Sequence, residues 1–496
     1  MSTDTNHKPV IVWFREDLRL SDNPALVSAL ETGAPLILLF VLDDETDGLR
    51  QPGGASRWWL FRSLKSLAQD IAALGGRLIL RRGESRRIVE DILSTSGADR
   101  IFWNRRYGEA EVALDKAMKA DLGDQSVDVH SFNGRLINEP WTIKTKSGGP
   151  FRVFTPFWKA CNASAQREQP LPSPNRLPPY SSEIASDEIE PWDLMPSRPN
   201  WASDFARIWT PGEHGARLLM DEFFSGKIAD YADRRDEPGT DVTSRLSPHL
   251  AFGEISPRQI RWVTEWPDTP GSEENKRKFL TEIGWREFAY HLLFHNPNLA
   301  TVNLQSKFDR FEWAEPDEAF DAWKRGQTGY PLVDAAMRQL WQTGWMHNRC
   351  RMVVGSFLVK HLLINWQHGE EWFWDTLVDA DQANNPVAWQ WIAGSGADAA
   401  PFYRVFNPIL QSRKFDPDGT YIRSFCPELA ALNNSQIHEP WTVTPMELKS
   451  AGIILGKTYP HPIVDHQWAR QRALAMFAKV KSPSCQDSAR QPKLPQ

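Results

Sequence analysis

Two neighbouring stretches decide the fold of this chain, WMHNRCRMVVGSFLVKHLL (345–363) and LVDADQANNPVAWQWIAGSGADAAPFYRVFNP (377–408). The region that they delimit concentrates charged, amide and indole side chains, namely Arg349, Arg351, Asp379, Asp381, Asn385, Trp366, Trp389 and Trp391. Charged residues are seldom fully buried in proteins unless they are paired. Because Arg351 and Asp379 stand on otherwise apolar segments, they predict a buried ion pair that lines a polar ligand pocket.

Further motifs, spread along the chain, resemble those of one family. They are TSRLSPHLAFGEIS (243–256), EIGWREFAYHLLFH (282–295), WMHNRCRM (345–352), DADQANN (379–385), VIVWFREDLRLSDNPAL (10–26) and GKTYPHPIVDH (456–466). Taken in their order along the sequence, these motifs resemble the photolyase/cryptochrome family over nearly the whole chain. Within the family, the chain is most similar to bacterial deoxyribodipyrimidine photolyases, a group related to plant cryptochromes. The resemblance implies a light-dependent carbon–carbon lyase that repairs cyclobutane pyrimidine dimers in UV-damaged DNA.

Length and composition describe an ordinary globular protein. The 496 residues exceed what one hydrophobic core normally supports, so we expect two domains or more. The net charge of -6 argues against a general polyanion binder, so any DNA contact must be a local basic patch. The four cysteines, at 161, 350, 426 and 485, have no CxxC spacing, which excludes a convincing zinc site or disulfide framework.

The chain also lacks the signals of a secreted or membrane protein. Its first residues, MSTDTNHKPV, contain no apolar signal core, and no run approaches the ~20 apolar residues of a membrane span. The scattered cysteines suit a reducing cytoplasm. We expect a monomer in the bacterial cytoplasm, without membrane contact, that associates with the nucleoid when it is bound to damaged DNA.

Residues 9–140 alternate short apolar runs with longer amphipathic ones. The runs are VIVWF (10–14), LILLFVLD (36–43), RLILRRG (77–83), RIFWNRR (100–106) and VDVHSF (127–132). This pattern predicts a doubly wound, Rossmann-like parallel sheet. Because the first strand is followed by REDLRLSDNPAL and not by a glycine-rich turn, the sequence lacks the dinucleotide fingerprint of a nicotinamide-dependent dehydrogenase, which argues against that class of enzyme. The resemblance implies an antenna pigment in this domain, with methenyltetrahydrofolate as the first expectation and a deazaflavin as the second.

The remaining chain divides into three parts. Residues 141–205 are irregular and rich in proline, which predicts a long extended linker that wraps passively between the domains. Residues 206–480 have helical periodicity and predict an α-helical domain, which the resemblance makes the FAD-binding catalytic domain. Residues 481–496 are polar and contain proline, so we expect a disordered tail.

The segment 243–248 has the composition of helix amino termini. Thr243 or Ser244, and then Ser247 followed by Pro248, are typical of N-caps, and helix amino termini bind phosphate groups. For so short a pattern, a plain helix cap is the commoner explanation. The resemblance makes it the cradle of the FAD pyrophosphate and adds two aromatic side chains, giving Tyr231, Thr243, Ser244, Arg245, Leu246, Ser247 and Phe279.

The resemblance places a second, polar set near the flavin ring, consisting of Asn348, Arg351, Asp379, Ala380, Asp381 and Asn385. In the family, the position of Asn385 faces flavin N5. A neutral amide adds no negative charge beside an anionic reduced flavin, whereas a carboxylate would penalise that anion. Asn385 therefore suits a flavin that must reach the reduced, anionic state. For Asn385-Pro386 in isolation a turn is the simpler interpretation, and a purely structural role for the Arg351–Asp379 pair stays open.

Reduction of the flavin requires an electron path from the surface. The resemblance assigns that path to Trp389 nearest the flavin, Trp366 in the middle and Trp313 outermost. The alternative interpretation is that the three tryptophans only fill the core.

A pyrimidine dimer inside a duplex must be flipped out before a buried flavin can act on it. The resemblance implies a lesion pocket and rim formed by Arg235, Glu282, Trp285, Arg286, Asn348, Arg349, Met352, Trp391 and Gln411. Trp285 and Trp391 would stack on the lesion, Glu282 would contact its carbonyl side, and Met352 would supply an apolar contact. Together with Asn385, Glu282 and Met352 are the expected catalytic residues.

Three positions separate the activities within the family. Relatives that repair the (6-4) photoproduct carry histidines at the positions of Asn348 and Met352, and signalling cryptochromes commonly carry Asp at the position of Asn385. These residues favour cyclobutane dimer repair. The alternatives are a cryptochrome-like blue-light photoreceptor without repair activity, an α/β enzyme that uses folate or another nucleotide, and a non-enzymatic DNA-binding module.

Overall fold

Five short apolar runs form one parallel sheet in this computed structural model, which describes residues 8–164 and 168–481. The strands are β1 (Val10–Phe14), β2 (Leu36–Leu42), β3 (Leu78–Arg82), β4 (Arg100–Asn104) and β5 (Asp128–Phe132). Their order is β3-β2-β1-β4-β5, and every neighbouring pair is parallel. Each strand lies within a run that the sequence predicts, so the Rossmann-like sheet is confirmed.

Helices cover both faces of this sheet because the central strands are apolar on both sides. The helices are α1 (Pro24–Glu31), α2 (Gly54–Ala73), α3 (Ser85–Ser96) and α4 (Glu109–Asp124). Alternate residues of β1 point to opposite faces, as the strand pleat requires. Val10, Val12 and Phe14 pack with α1 and α2, whereas Ile11 and Trp13 pack with α3 and α4.

The connection between the domains is part of the first domain's core, so the prediction of a passive wrapping linker is wrong for much of its length. It contains helix α5 (Phe154–Ser164). Further along, the backbone N–H of Leu36 donates to the carbonyl of Pro178 at 2.8 Å, which pairs the connection with the first residue of β2. Leu177 and Trp192 are buried against the same face of the sheet as α1 and α2. Apolar side chains between the prolines therefore complete this core.

The second half of the chain is helical, as predicted. Its α-helices are α6 (Phe205–Ile208), α7 (Glu213–Ser225), α8 (Tyr231–Arg234), α9 (Ser247–Ala251), α10 (Pro257–Thr264), α11 (Glu273–His295), α12 (Glu318–Lys324), α13 (Pro331–Thr343), α14 (Asn348–Ser356), α15 (Trp366–Thr376), α16 (Asn384–Ala393), α17 (Pro408–Phe415), α18 (Thr420–Phe425), α19 (Pro445–Ser450) and α20 (His466–Lys481). A π-helix, Phe357–Leu362, continues α14. Within the described ranges, no helix combines the length and the apolarity that a bilayer crossing requires. Most of the predicted tail, 482–496, lies outside the described residues.

The two domains meet at a close backbone contact after α9. The N–H of Leu18 donates to the carbonyl of Phe252 at 3.1 Å, and the Arg19 guanidinium donates to the carbonyl of Gly253 at 2.8 Å. Gly253 has a φ of +65°, and a Cβ atom there would lie 2.1 Å from the carbonyl oxygen of Glu16. Only glycine allows the helical domain to approach the end of β1 this closely.

We expect Gly253→Ala to destabilise the protein by about 2–4 kcal/mol, since it combines left-handed strain with an overpacked contact. Gly97→Ala is the matched control, because Gly97 has a φ of +68° but nothing within 4 Å of its added Cβ. Thermal unfolding followed by circular dichroism should show a clearly larger loss for Gly253→Ala. Equal losses in the two variants would contradict the importance of this contact.

Candidate functional site

The ion pair predicted at the centre of the helical domain is present. The Arg351 guanidinium donates to both carboxylate oxygens of Asp379, at 2.7 and 3.0 Å, and its Nε donates to the carbonyl of Met346 at 2.8 Å. Asp379 is 9% exposed, whereas Arg351 is half-buried and keeps one face open. The pair is therefore confirmed, and Ala380 lies half-buried beside it.

Residues 243–247 form a polar loop next to this pair. The indole Nε1 of Trp345 donates to the hydroxyl of Ser247 at 3.2 Å, and the Arg245 guanidinium lies 5.6 Å from the ring centre of Trp345. Trp345 thus joins the loop to the segment that precedes α14. Thr243 and Ser244 are half-buried, and Leu246 is buried behind the loop.

The predicted helix caps in this loop are wrong in detail. Ser247 is the first residue of α9, the preceding Leu246 occupies the cap position, and no side chain caps the helix. Arg245 has a φ of +52°, so the loop turns through a left-handed residue before the helix starts. Since α9 has only five residues, the polar character of the loop comes from its hydroxyl groups and from Arg245, not from a long helix dipole.

Aromatic rings close the site on the side of α8 and α11. The rings of Tyr231 and Phe279 meet edge to face, with centroids 5.4 Å apart, and Phe223 packs against both. All three side chains are buried. They form one wall behind the loop at 243–247, as the sequence predicts for Tyr231 and Phe279.

The side chain of Asn385 is fixed at the start of α16. Its Nδ2 donates to the carboxylate Oε1 of Glu370 at 2.8 Å and to the backbone carbonyl of Glu370 at 2.9 Å. Both partners accept hydrogen bonds only, so they determine which end of the amide is nitrogen. The Oδ1 acceptor of Asn385 is therefore the end turned away from Glu370. The sequence analysis did not single out Glu370.

Asp381 is committed to contacts within the protein. One oxygen accepts from the backbone N–H groups of Ala383 and Asn384, at 2.9 and 2.8 Å, which caps α16. The other accepts from Tyr290 at 2.6 Å and from Arg135 at 3.3 Å. Burial would raise the pKa of Asp381, but the neighbouring guanidinium groups and hydrogen bonds lower it below its usual value. This placement favours a structural role for the Asp381 carboxylate.

The residues present suit a flavin dinucleotide. A diphosphate requires hydroxyl and cationic donors, which Thr243, Ser244, Ser247 and Arg245 provide, and the buried Nε of Arg245 has no hydrogen-bond partner. A redox-active ring requires apolar walls with a few polar groups, which the aromatic wall and the side chains of Arg351 and Asn385 provide. The donor set therefore fits FAD.

The three tryptophans predicted for electron transfer lie in one apolar cluster. Trp389 and Trp366 are buried, and Trp313 is half-buried. Trp389 packs directly on α15, because a Cβ at Gly369 would lie 2.2 Å from its ring. Trp366 begins the same helix, and Ala314 pairs with Ile364 just before it, which brings Trp313 alongside. The structure thus places the three in one apolar cluster, and their role in electron transfer stays a prediction.

Charged side chains flank α14 on its outer side. Glu282 pairs with Arg235, and Arg349 pairs with Asp236 at 2.7 Å. An N–H of Arg349 lies 3.6 Å from the sulfur of Met352. These contacts bring four of the predicted lesion-site residues together. Asp236 was not expected from the sequence, since nothing near it marks it as a partner of Arg349.

The other predicted DNA contacts differ in exposure. Asn348 is exposed, and Trp391 and Gln411 are half-buried. Trp285 is half-buried and stacks on Phe154, with ring centroids 3.7 Å apart. Arg286 is 7% exposed and donates to the backbone carbonyl of Arg135 at 2.9 Å. Its burial argues against the predicted contact of Arg286 with DNA.

A cavity of about 360 Å³ lies apart from this site, at the seam between the domains. Its lining consists of Asn133, Ile137, Asn138, Glu139, Thr142, Ser164, Glu168, Arg258, Arg261, Trp262 and Glu265. The buried NH1 of Arg261 has no hydrogen-bond partner, while its Nε donates to Glu265 at 2.8 Å. The sequence did not point to this cavity, because its walls come from distant parts of the chain.

Comparison with known families gives two matches that together span most of the chain. Residues 10–175 match the family described as DNA photolyase, and residues 279–479 match the FAD binding domain of DNA photolyase. Both matches agree with the sheet domain and the helical domain described above.

Individual relatives are similar along nearly the whole of this chain. The chain is 52% identical to deoxyribodipyrimidine photo-lyase of Agrobacterium fabrum, covering 95% of this chain and 98% of that protein. It is 39% identical to cryptochrome-1 of Arabidopsis thaliana, covering 96% of this chain and 71% of that protein.

Solved structures agree with these relatives. A bacterial class III photolyase from Agrobacterium tumefaciens superposes with a TM-score of 0.94 at 51% identity, over 97% of this chain and all (100%) of that one. A cryptochrome from Synechocystis superposes with a TM-score of 0.85 at 30% identity, over 94% of this chain and 99% of that one. With its parallel sheet, its helical FAD-binding domain and these similarities, the chain belongs to the photolyase/cryptochrome family.

Proposed function

We propose that this protein is a light-driven DNA repair enzyme that reverses cyclobutane pyrimidine dimers, with FAD as its cofactor. The observation that carries the choice of lesion is the side-chain set on α14. Asn348 and Met352 stand where relatives specific for the (6-4) photoproduct carry histidines. The neighbouring His347 is buried, and burial lowers its pKa to about 4, so it is neutral at physiological pH. This side of the site therefore offers no histidine as a proton donor.

The protein's own residues would prepare and protect the reaction. FAD, when bound, supplies light absorption and the one electron that is lent to the dimer and recovered. Arg351 and Asn385 hold the redox-active ring, and the hydroxyl groups at 243–247 hold the diphosphate. Trp389, Trp366 and Trp313 carry electrons inward for the initial reduction. The aromatic wall excludes water, and the electrostatic interactions between the buried charged groups are therefore strong.

At the lesion, the charged pairs beside α14 supply contacts of fixed geometry. Arg235 orients Glu282, whose carboxyl group faces the carbonyl side of the flipped dimer. Arg349 is held by Asp236 and is placed to contact the DNA backbone. Met352 and Trp391 supply apolar surface, and Trp285 is held in place by its stack on Phe154. A blue-light photoreceptor without repair is the second candidate, since plant cryptochromes are relatives, and the amide at Asn385 argues against it.

The cavity between the domains is a candidate seat for an antenna pigment. Its volume of about 360 Å³ is within the range of small-molecule sites, which is roughly 300–1,000 Å³. Arg261 provides an unpaired donor for an anionic group, and Trp262 provides a ring for stacking. Methenyltetrahydrofolate stays the first candidate and a deazaflavin the second, since the planar ring system of either could stack on Trp262.

Illumination of the purified protein with an oligonucleotide that contains one cyclobutane thymine dimer should restore the two thymines. Chromatography of the digested DNA measures the product. The same protein in darkness, and a (6-4) photoproduct oligonucleotide in light, should give no repair. A flavin-containing protein that leaves the cyclobutane dimer intact in blue light would favour the photoreceptor instead.

Asn385→Asp should slow light-driven formation of the fully reduced flavin by tenfold or more, because a carboxylate there opposes the anion; tenfold corresponds to about 1.4 kcal/mol. Absorbance during illumination with a reductant measures the rate. Asn365→Asp is the control, since Asn365 caps α15 through its side-chain oxygen and aspartate caps equally well. Unchanged photoreduction in Asn385→Asp would contradict the role of the amide.

Arg261→Glu should abolish retention of the antenna pigment while leaving the FAD content unchanged, because the reversed charge repels an acidic ligand. Extraction and quantification of both chromophores measure this effect. Arg277→Glu, on the exposed surface of α11, is the matched control. Full pigment content in Arg261→Glu would place the antenna elsewhere.

A further inference from the structure

Arg50 of the first domain is connected to the proposed flavin site by one carboxylate, that of Glu370, which also binds Asn385. Arg50 lies in the loop between β2 and α2. Its two terminal nitrogens donate to the two carboxylate oxygens of Glu370 on α15, both at 2.7 Å. Such a two-pronged contact fixes the carboxylate in orientation as well as in position. The contact joins residues that are 320 positions apart in the sequence.

Glu370, held in this way, in turn fixes the orientation of the Asn385 side chain. Its side chain is 3% exposed, so water cannot compensate for its charge. Oxygen Oε1 accepts from the Nδ2 of Asn385 at 2.8 Å, and the backbone carbonyl of Glu370 accepts from the same nitrogen at 2.9 Å. Rotation of the amide by half a turn would set its oxygen against two acceptors. Glu370 therefore keeps the nitrogen of Asn385 on one side and the oxygen on the other.

The loop that carries Arg50 is locked onto the end of α15. The Arg50 guanidinium lies 3.8 Å from the ring centre of Trp374, and the Trp374 indole donates to the carbonyl of Gln51 at 2.9 Å. The N–H of Gly54 donates to Asp375 at 2.8 Å. A Cβ at Gly53 would lie 2.2 Å from the carbonyl oxygen of Trp374. These contacts leave Arg50 little freedom to move away from Glu370.

We propose that Arg50 is a positioning residue for the flavin site: it orients and neutralises Glu370, so that Asn385 presents its oxygen and no uncompensated carboxylate lies behind the amide. This inference rests on the proposed function, in which Asn385 meets the redox-active ring. A buried negative charge close to that ring would oppose the anionic reduced state, since like charges disfavour each other in a poorly solvated region. Without Arg50, Glu370 would be such a charge.

The test is the midpoint potential of the step that ends in fully reduced FAD, measured by spectroelectrochemistry on the flavin-loaded protein. Arg50→Gln should lower the ratio of fully reduced to one-electron-reduced flavin at a fixed potential roughly tenfold, a shift of about 59 mV to more negative values for a one-electron step. Arg50→Lys keeps the charge but loses the two-pronged contact, so its shift should be smaller. Lys65→Gln, which removes one charge from an exposed pair with Glu190, should have no effect.

Glu370→Gln gives the opposite test. The amide still accepts from Asn385, but Arg50 is left without its counter-charge, so the potential should move to more positive values. The double variant Arg50→Gln with Glu370→Gln should return close to the unmodified protein. If Arg50→Gln loses its flavin, the sign of the shift in Glu370→Gln decides the question.

Unchanged potentials in Arg50→Gln and Glu370→Gln would overturn the role of Arg50. Light-dependent dimer repair by the unmodified protein is measured separately in the same preparations. If repair occurs while the potentials are unchanged, the inference fails alone. If the unmodified protein binds FAD but repairs nothing, the proposed function fails, and the shifts in potential still report whether Arg50 acts on the flavin.

Discussion

The buried guanidinium of Arg135 holds the two domains in one arrangement. It is 5% exposed and donates to the backbone carbonyls of Glu16 and Ala251, to the hydroxyl of Tyr290 and to the carboxylate of Asp381. These partners come from the end of β1, the end of α9, the middle of α11 and the start of α16. Loss of one charged member of such a buried set typically costs about 3–5 kcal/mol, because the other charge stays behind without a partner. This cation therefore joins more elements of the sheet and helical domains than the separate contacts of Arg19 with Gly253 and of Arg50 with Glu370 do.

The same arrangement explains why the proposed flavin site is rigid. Asp381 joins Arg135 and also caps α16, so the contact between the domains fixes the helix that carries Asn385 and Trp389. His347 plays a similar part for α14, because its ring nitrogen accepts from the backbone N–H of Arg349 at 3.2 Å. Side chains that project from helix starts held in this way keep their geometry without help from a ligand.

The sequence predicted those features that depend on local pattern. All five strands were found because each is a short apolar run, and Arg351–Asp379 was found because both charges stand among apolar residues. Contacts between segments that are distant in the sequence were not predicted. Nothing in the sequence distinguishes Glu370 from the other acidic residues of the helices, and only the structure shows its contact with Arg50. The burial of Arg286 was not expected because charged and apolar residues are mixed around α11, so its sequence does not say which face meets the first domain. The caps at 244 and 247 were misplaced because the chain turns through a left-handed residue at Arg245 and α9 then starts at Ser247, which puts Leu246 in the cap position.

Gly369 has no side chain, and this absence is what allows Trp389 to pack against α15. The indole of Trp389 rests on the bare backbone of α15 at this point, with Leu358 on the other side. Any methyl group added there would have to wedge the indole away from the helix that also carries Trp366. Because tunnelling rates fall exponentially with the gap between donor and acceptor, such a wedge would slow charging of the cofactor while leaving every titratable and hydrogen-bonding group untouched. In the proposed electron path, the contact between Trp389 and α15 therefore depends on the absence of a side chain at Gly369.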